Sequence, residues 1–229
     1  LRKSDETIVG QWKGHGNTNA DWLDQGTGNY GMWFDSSNDY VTLGIEPDAV
    51  METGVFDLSF NMQWVTGNLA TYDRIFFFGT STGFFRCQRS AGTDQFQIWS
   101  RKAAGQDIIP PFSVTLSPDV EHSVRITGDG TTCTAYVDGV SSNTQAITSA
   151  NFHTPTWTSG ELGSDNFSLL GVIRNWNITA GTVAQKLNGY GNTDADWEDQ
   201  VGSNDGTVSG SPSRAISTST GWREANDGT

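Results

Sequence analysis

The sequence has few basic residues and almost no lysine. Four lysines and nine arginines stand against 26 acidic residues, and the formal net charge is −13. Nucleic acids and anionic membrane surfaces attract basic proteins, so neither is an expected partner. The chain also lacks a run of about 18 apolar residues, which a membrane-spanning helix needs. We therefore expect no nucleic-acid binding and no insertion into a membrane.

Cysteine is scarce as well. The two cysteines, Cys87 and Cys133, lie within runs of alternating apolar residues. A free cysteine packs as a small hydrophobic residue, so two buried thiols are the favoured prediction. A disulfide between them is the alternative, although a chain of 229 residues buries a large core without crosslinks.

Strong helix formers are few, and turn-forming residues separate short apolar runs. In Val55–Val65, VFDLSFNMQWV, apolar and polar residues alternate strictly, which predicts a long strand with one face in a core. RIFFFG, at Arg74–Gly79, is apolar on both faces and predicts a central strand covered on each side. GFFRCQRS and DQFQIWS follow as a hairpin around AGT. We expect Trp64 and Trp176, both on strands, in the core.

Asp-Gly pairs mark further hairpins. One lies at Asp129–Gly130 between alternating runs, and another follows at Asp138–Gly139; this dipeptide is a strong short-range hairpin signal. Glu161–Ala180 predicts a late, mostly apolar pair of strands. These features predict an all-β fold with few or no helices, built as an antiparallel jelly-roll β-sandwich.

One phrase occurs twice. GNTNADWLDQ at 16–25 returns as GNTDADWEDQ at 191–200, and the surrounding windows 14–31 and 189–206 share 11 of 18 residues. The first copy follows a predicted strand at 8–13, and the second follows one at 182–187. Because the first and last strands of a jelly roll often lie side by side, we expect both copies to form paired structural loops or a joint to another unit.

Four segments resemble a known superfamily. DYVTLG, FDLSFNMQWV, HSVRITGDGTTCTAYVDGV and LGSDNFSLLGVIRNWNI are similar to the concanavalin A-like lectin/glucanase superfamily, in its laminin-G-like branch. That branch opens with a YV.L strand, carries a Y.DG hairpin and closes with a strand of the form F.G.I.N..I. The resemblance covers about residues 39–180, or from residue 8 with the opening strand, and implies a concanavalin A-like sandwich. The repeated phrase, followed by GSNDGTV, resembles repeats beside such domains in phage structural proteins.

The expected organisation is a laminin-G-like sandwich at 1–187 and a C-terminal extension at 188–229. The extension holds the second copy of the repeat and a polar tail rich in Ser and Thr. Such a tail, if ordered, must lie on its own domain or on a neighbouring chain, which favours assembly into a homo-oligomer.

The repeat offers candidate calcium ligands. Asp194, Asp196 and Asp199 place carboxylates close together in the second copy, and calcium prefers oxygen ligands. The loop is not an EF-hand, because Trp197 stands where that motif needs Gly and Ser203 where it needs Glu. The alternative is a loop built on Asx turns and pinned by its tryptophan, with no cofactor.

Catalysis is not expected. Retaining glycosidases need two carboxylates about 5–5.5 Å apart, and the laminarinase branch of the superfamily supplies them from a Glu-x-Asp-x-x-Glu strand. This motif is absent, the seven glutamates are scattered along the chain, and the Arg/Gln/His/Tyr set of related alginate lyases is missing too. The chain is therefore interpreted as a non-enzyme, with a glycan-degrading activity as the least favoured alternative.

Loop aromatics beside polar residues suggest sugar binding. An aromatic face can cover the C–H side of a pyranose while a carboxylate or amide accepts from its hydroxyls. The candidate ligand contacts are Trp157, Tyr72, Asp73 and Trp22. In the alternative interpretation, each tryptophan is a partly buried anchor of its own loop.

The function predicted is non-enzymatic surface recognition or decoration, on a virion and with a glycan as ligand. The virion setting follows from the phage-like phrase and from a first segment, LRKSDETIVG, without a signal-peptide pattern. The alternative is a secreted or cell-surface carbohydrate-binding or adhesion module. A purely structural protein that assembles with its own copies or with other virion proteins is the other class. The expected location is the virion surface or the extracellular space.

Overall fold

A computed structural model describes most of the chain outside its N-terminal part. The residues described are 30–35, 38–45, 53–65, 73–80, 82–90, 93–103, 106–148, 160–163, 169–218 and 221–224. The strands are β1 (Tyr30–Asp35), β2 (Tyr40–Leu43), β3 (Val55–Trp64), β4 (Arg74–Gly79), β5 (Phe84–Arg89), β6 (Gln95–Ala103), β7 (Gln106–Thr115), β8 (His122–Asp129), β9 (Thr132–Val137), β10 (Val140–Ala146), β11 (Gly160–Gly163), β12 (Leu170–Ala180), β13 (Val183–Leu187), β14 (Thr207–Ser209), β15 (Ser213–Thr218) and β16 (Gly221–Glu224). A short 3₁₀ turn, Asp194–Trp197, lies between β13 and β14.

The strands form two antiparallel sheets. One has the order β10-β9-β8-β3-β12-β1-β15-β16, with β13 also paired to β12, and the other has the order β14-β2-β11-β4-β5-β6-β7. All neighbours run antiparallel. The predicted all-β sandwich is confirmed. Across the ranges described, no helix is long and apolar enough to cross a membrane.

The predicted hairpins are present. The β8–β9 turn is closed by Asp129, whose carboxylate accepts from the backbone N–H of Thr131 at 2.8 Å and of Thr132 at 2.7 Å. In the β9–β10 turn, Asp138 has φ 51° and Gly139 φ 79°, the left-handed pair of a type I′ turn. The expected late strand pair is different: β11 and β12 belong to opposite sheets, because the chain crosses the sandwich between them.

The core lies between the sheets. The alternate residues of β3 that face it are all 4% exposed or less: Phe56, Leu58, Phe60, Met62 and Trp64. Phe60 stacks on Trp176 of β12 with ring centroids 6.0 Å apart, so the core placement of both strand tryptophans is confirmed.

The two cysteines are buried in this core and unbonded, as the favoured interpretation predicts. Burial raises the pKa of the Cys87 thiol above its usual value. Burial, with a smaller contribution from Asp129, raises the pKa of Cys133 to about 12. Both side chains therefore act as small apolar groups and not as reactive thiolates.

One ion pair is enclosed by the core. The Arg89 guanidinium contacts the Asp73 carboxylate at 2.6 Å, and the two side chains are 1% and 3% exposed. The Arg89 backbone N–H also donates to the Asp73 carbonyl at 2.7 Å. The guanidinium lies 4.8 Å from the ring centroid of Trp64, whose Nε1 donates to the Leu116 carbonyl at 3.1 Å. The pair thus joins the start of β4 to the end of β5.

The C-terminal residues complete both sheets. Strand β14 pairs with β2, and β15 pairs with β1, so residues 207–218 and 221–224 of the expected extension lie on the chain's own sandwich. Trp222 is 6% exposed and packs with Trp33 and Val172. Its backbone N–H donates to Gln63 Oε1 at 2.8 Å, and its carbonyl accepts from Gln63 Nε2 at 3.1 Å.

Asp73→Asn is expected to lower the free energy of unfolding by about 3–5 kcal/mol, because it removes the carboxylate that contacts the buried Arg89 guanidinium at 2.6 Å. Urea denaturation followed by tryptophan fluorescence measures the change. Asp94→Asn is the control, since Asp94 is an exposed turn residue and its loss should change stability by less than about 0.5 kcal/mol. Equal stability of the two variants would show that the buried pair does not stabilise the fold.

Trp222→Ala is expected to lower the free energy of unfolding by about 3 kcal/mol or more, since it opens a cavity over Trp33 and Val172. Arg223→Ala, at the next and exposed position of β16, is the matched control and should be near neutral. The same urea titration compares them. A Trp222→Ala variant as stable as Arg223→Ala would contradict the role of β16 in covering this part of the sheet.

Candidate functional site

The outer face of the seven-stranded sheet carries the candidate site. In β5, Phe85 and Cys87 are buried in the core, so alternation turns Phe84 and Arg86 to the opposite face. Strand register then places Arg86 beside Phe77 of β4 on one side. On its other side the same register brings Trp99 of β6 next to Arg86.

Guanidinium groups lie over the aromatic rings of this face. Arg86 Cζ is 4.2 Å from the ring centroid of Phe84 and 4.6 Å from that of Trp99. Arg101 Cζ lies 4.3 Å from the Trp99 centroid, and Arg74 Cζ lies 4.5 Å from the Phe77 centroid. We name these six side chains the arginine–aromatic cluster: Arg74, Phe77, Phe84, Arg86, Trp99 and Arg101.

The cluster is packed although it lies outside the core. Phe84 is 2% exposed and Phe77 is 8% exposed, and neither belongs to the groups of core residues. The ring of Trp99 meets that of Phe84 edge-on, with centroids 4.9 Å apart, and Trp99 itself is half-buried. The arginine stems and guanidinium planes therefore cover the phenylalanines while part of Trp99 faces solvent.

Asp107 of β7 fixes two members of the cluster. Its Oδ1 accepts from Arg101 Nε at 2.8 Å and from Trp99 Nε1 at 2.9 Å. Burial raises the pKa of the Asp107 carboxyl, but the hydrogen bonds from Arg101 and Trp99 outweigh this and hold the pKa below its usual value. The carboxylate stays ionised near neutral pH and holds the indole and guanidinium in place.

Arg86 differs from the arginines of the protein that form ion pairs with carboxylates. Its Nε is buried and has no hydrogen-bond partner, and no carboxylate in the described part of the chain forms an ion pair with it. Burial, together with the charges of Arg74 and Arg101, lowers the pKa of Arg86 to about 10. Arg86 remains protonated at neutral pH, so the centre of the cluster is a positive charge that forms no ion pair with a carboxylate of the described residues.

The arrangement suits binding more than bond cleavage. The cluster supplies an aromatic surface with hydrogen-bond donors around it, a combination found in sites that hold polar ring-shaped ligands. The Asp107 carboxylate is engaged by Arg101 and Trp99 and is not free to act as a general acid.

The predicted sugar contacts lie elsewhere or outside the described residues. Trp157, Tyr72 and Trp22 fall outside the ranges that the structure describes, and their roles stay predictions. Asp73 is 2% exposed and its carboxylate is paired with Arg89 in the core.

In the second copy of the repeat, the three predicted calcium ligands bond backbone N–H groups. Asp194 Oδ1 accepts from Val208 at 2.7 Å. Asp196 Oδ2 accepts from Thr193 at 3.0 Å, and Asp199 Oδ1 accepts from Lys186 at 3.0 Å. Among the described residues no group of three or more His, Cys, Asp or Glu side chains is placed to hold a metal ion. Calcium binding stays a prediction.

The tryptophan of this copy anchors the loop. Trp197 is fully buried, and its Nε1 donates to the Gly191 carbonyl at 3.1 Å. The Gly206 N–H donates to the Trp197 carbonyl at 2.8 Å. These contacts agree with a loop pinned by its tryptophan; most of the first copy, up to residue 29, lies outside the described residues.

An open groove of about 460 Å³ lies beside this loop. It is lined by Ile45, by residues 182–184 of the β12–β13 turn and β13, and by residues 201–204. The lining has no aromatic and no charged side chain, so it offers a ligand less chemistry than the arginine–aromatic cluster.

The cluster is not apparent from the pattern of any single strand, because its members come from three strands. FFRCQR and IWSRKA each carry an aromatic residue and an arginine two positions apart, which places both on one face of a strand. That spacing in two consecutive strands of a predicted hairpin was the available signal.

Comparisons with known proteins bear on the fold. No protein-family model and no curated protein matches the sequence. Among solved structures, a protein of Bacteroides ovatus ATCC 8483 proposed to bind carbohydrate has a TM-score of 0.59 and 15% identity, over 82% of this chain and 60% of that one. This chain therefore spans less than two thirds of that protein's length.

A second solved structure is the carbohydrate-binding module CBM40 of a Ruminococcus gnavus IT-sialidase, bound to α2,3-sialyllactose. Its TM-score is 0.50 at 13% identity, and the match covers 65% of this chain and 89% of the module. At these identities the likeness is one of fold. This likeness agrees with the β-sandwich fold of the chain.

Proposed function

We propose that this chain is a non-enzymatic glycan-binding domain and that the arginine–aromatic cluster is its binding site. The observation that carries the proposal is the half-buried Trp99, held by Asp107 at 2.9 Å with the guanidinium groups of Arg86 and Arg101 beside it. A pyranose presents an apolar C–H face and a rim of hydroxyls, and the cluster presents an aromatic surface and a rim of N–H donors.

The preorganised geometry supports binding. The Asp107 bonds fix the Trp99 ring before a ligand arrives, so a ligand does not have to order this side chain. The site is formed by adjacent strands of one sheet and not by a flexible loop, which holds the donors at constant spacing. The likeness in fold to a protein proposed to bind carbohydrate and to a module bound to sialyllactose supports the same ligand class.

The biological setting is also a proposal. We propose a virion surface or decoration protein, supported by the resemblance of the repeated phrase to phage repeats, with a secreted or cell-surface adhesion module as the alternative. A homo-oligomer is proposed with it. The order of the tail does not distinguish these settings, since Trp222 is covered by the chain's own residues. Trp157, Tyr72 and Trp22 stay proposed glycan contacts outside the cluster.

Trp99→Ala is expected to weaken glycan binding roughly 30-fold, the equivalent of about 2 kcal/mol for an aromatic residue at the centre of a binding site. A broad glycan array, followed by calorimetric titration of the best ligand, measures the loss. Tyr190→Ala is the matched control, because Tyr190 is an exposed aromatic residue in the repeat loop and its removal should leave affinity unchanged.

Two further arms test the sequence-based proposals. Trp157→Ala, run beside Trp99→Ala, shows which tryptophan contacts the sugar, and repeating the array with calcium and then with chelator tests the proposed metal dependence. If binding survives Trp99→Ala and is lost in Trp157→Ala, the binding site lies at Trp157 and not at the arginine–aromatic cluster. A blank array under all conditions would overturn glycan binding in favour of a purely structural role.

A further inference from the structure

We propose that the arginine–aromatic cluster selects acidic glycans, with the carboxylate or sulfate of the sugar hydrogen-bonded to the Arg86 guanidinium. This inference rests on the proposed glycan-binding function and names the ligand class for the same site.

Other arginines of the protein are neutralised by carboxylates. Four of them contact a carboxylate at 2.6–2.8 Å, in the pairs Arg89–Asp73, Arg101–Asp107, Arg125–Asp57 and Arg174–Glu121. Arg86 has no such partner among the described residues, although the chain carries twice as many acidic as basic residues, 26 against 13. Among the described residues Arg214 and Arg223 also form no ion pair with a carboxylate. Arg86 differs from them because its guanidinium lies over two aromatic rings and beside two other guanidinium groups.

Arg86 lies close to other positive charges. The guanidinium groups of Arg74 and Arg101 act on it with the same sign and lower its pKa. A buried Nε without an acceptor adds an unsatisfied donor, and such groups are costly unless a partner is supplied. An anionic ligand that contacts the accessible part of the half-buried Arg86 side chain offsets the repulsion between the guanidinium groups.

The nearby carboxylates do not fill this position. Asp107 is engaged by Arg101 and Trp99. Glu161 lies in the same cross-strand row, but Phe77 stands between it and Arg86. Two strand spacings of about 4.8 Å separate the backbone positions of Glu161 and Arg86. The described carboxylates therefore do not neutralise Arg86, and in our proposal the ligand brings the anion.

The chemistry of the guanidinium selects among sugars. Its planar N–H groups match the two oxygens of a carboxylate or sulfate, and Trp99 next to it is placed to contact the ring that carries this group. A neutral sugar leaves the Arg86 donors with weaker hydroxyl partners. Uronic acids and other carboxylated sugars share this anionic group with sulfated sugars, so the test includes both.

The experiment compares matched acidic and neutral ligands on the full chain. Calorimetry measures the affinity for a galacturonate oligosaccharide and for its methyl ester, and for a sulfated galactan oligosaccharide and its desulfated form. We expect the better acidic ligand to bind about tenfold or more tightly than its neutral partner. The preference should shrink at high salt, because added ions screen a charge on a half-buried face. The pair with the larger ratio identifies carboxylate or sulfate as the source of the anion.

Arg86→Gln should reduce this preference to about one, because it lowers the affinity for the acidic ligand about tenfold more than the affinity for the neutral ligand. Arg125→Gln is the control, because Arg125 is an exposed arginine on the other sheet and its loss should leave the ratio unchanged. Thermal unfolding checks that both variants fold. Phenylglyoxal modification of the unaltered chain gives a second readout, in which the acidic ligand protects Arg86 in peptide mass spectra and the neutral ligand does not.

The outcomes separate the two proposals. If acidic and neutral ligands bind equally and Trp99→Ala abolishes both, the glycan site stands and acid selection is overturned. If acid preference persists in Arg86→Gln and Arg86 is modified equally with and without ligand, the anion binds elsewhere and the inference also fails. If no glycan of either class binds, the proposed function itself fails.

Discussion

The contact that the rest of the structure depends on is the aromatic joint between the two sheets. Phe60 of β3 and Trp176 of β12 stack within one sheet, and Phe76 of β4 meets both rings from the other, at 6.1 Å and 5.8 Å. Because Phe76 must point into this joint, its neighbour Phe77 must point out. The orientation of β4, and through hydrogen-bonded register that of β5 and β6, is therefore set from inside the core.

The binding face is a consequence of that orientation. A slip of one residue between β5 and its neighbours would turn Phe84 and Arg86 into the core and Cys87 out of it. The sandwich tolerates one buried arginine, Arg89, because Asp73 neutralises it at 2.6 Å. Arg86 has no carboxylate of this kind, so it is compatible only with the outer face. Packing in the core and charge on the surface thus favour the same register.

The sequence predicts the long and one-faced elements well. Strict alternation in Val55–Val65 and the Asp-Gly turns at 129–130 and 138–139 are local signals, and the structure confirms them. Two features depend on pairing between distant residues and cannot be predicted from short stretches of the sequence. One is the separation of β11 and β12 into different sheets. The other is the arginine–aromatic cluster, whose members come from three strands and meet only after the register is fixed.

The C-terminal strands are hard to predict from the sequence for a different reason. Their residues are mostly polar because β14 and β16 lie at sheet edges, so composition suggests an appendage where the structure has paired strands. The buried anchor, Trp222, stands alone in a run of small and polar residues. A single apolar residue gives no periodic pattern, although in the folded chain it packs with Trp33 and Val172.

The pairing of β15 with β1 also has a consequence for how the chain folds. Tyr30 is the register partner of Ile216, so this edge of the larger sheet closes only when two segments far apart in sequence meet, a slow type of contact. During synthesis from the N-terminus, β1 leaves the ribosome long before β15 exists. Until then Trp33 lacks its Trp222 cover and the edge of β1 lacks its partner. The nascent chain therefore carries an unpaired, aggregation-prone strand from the synthesis of β1 until that of β15, and a chaperone would protect it during this interval.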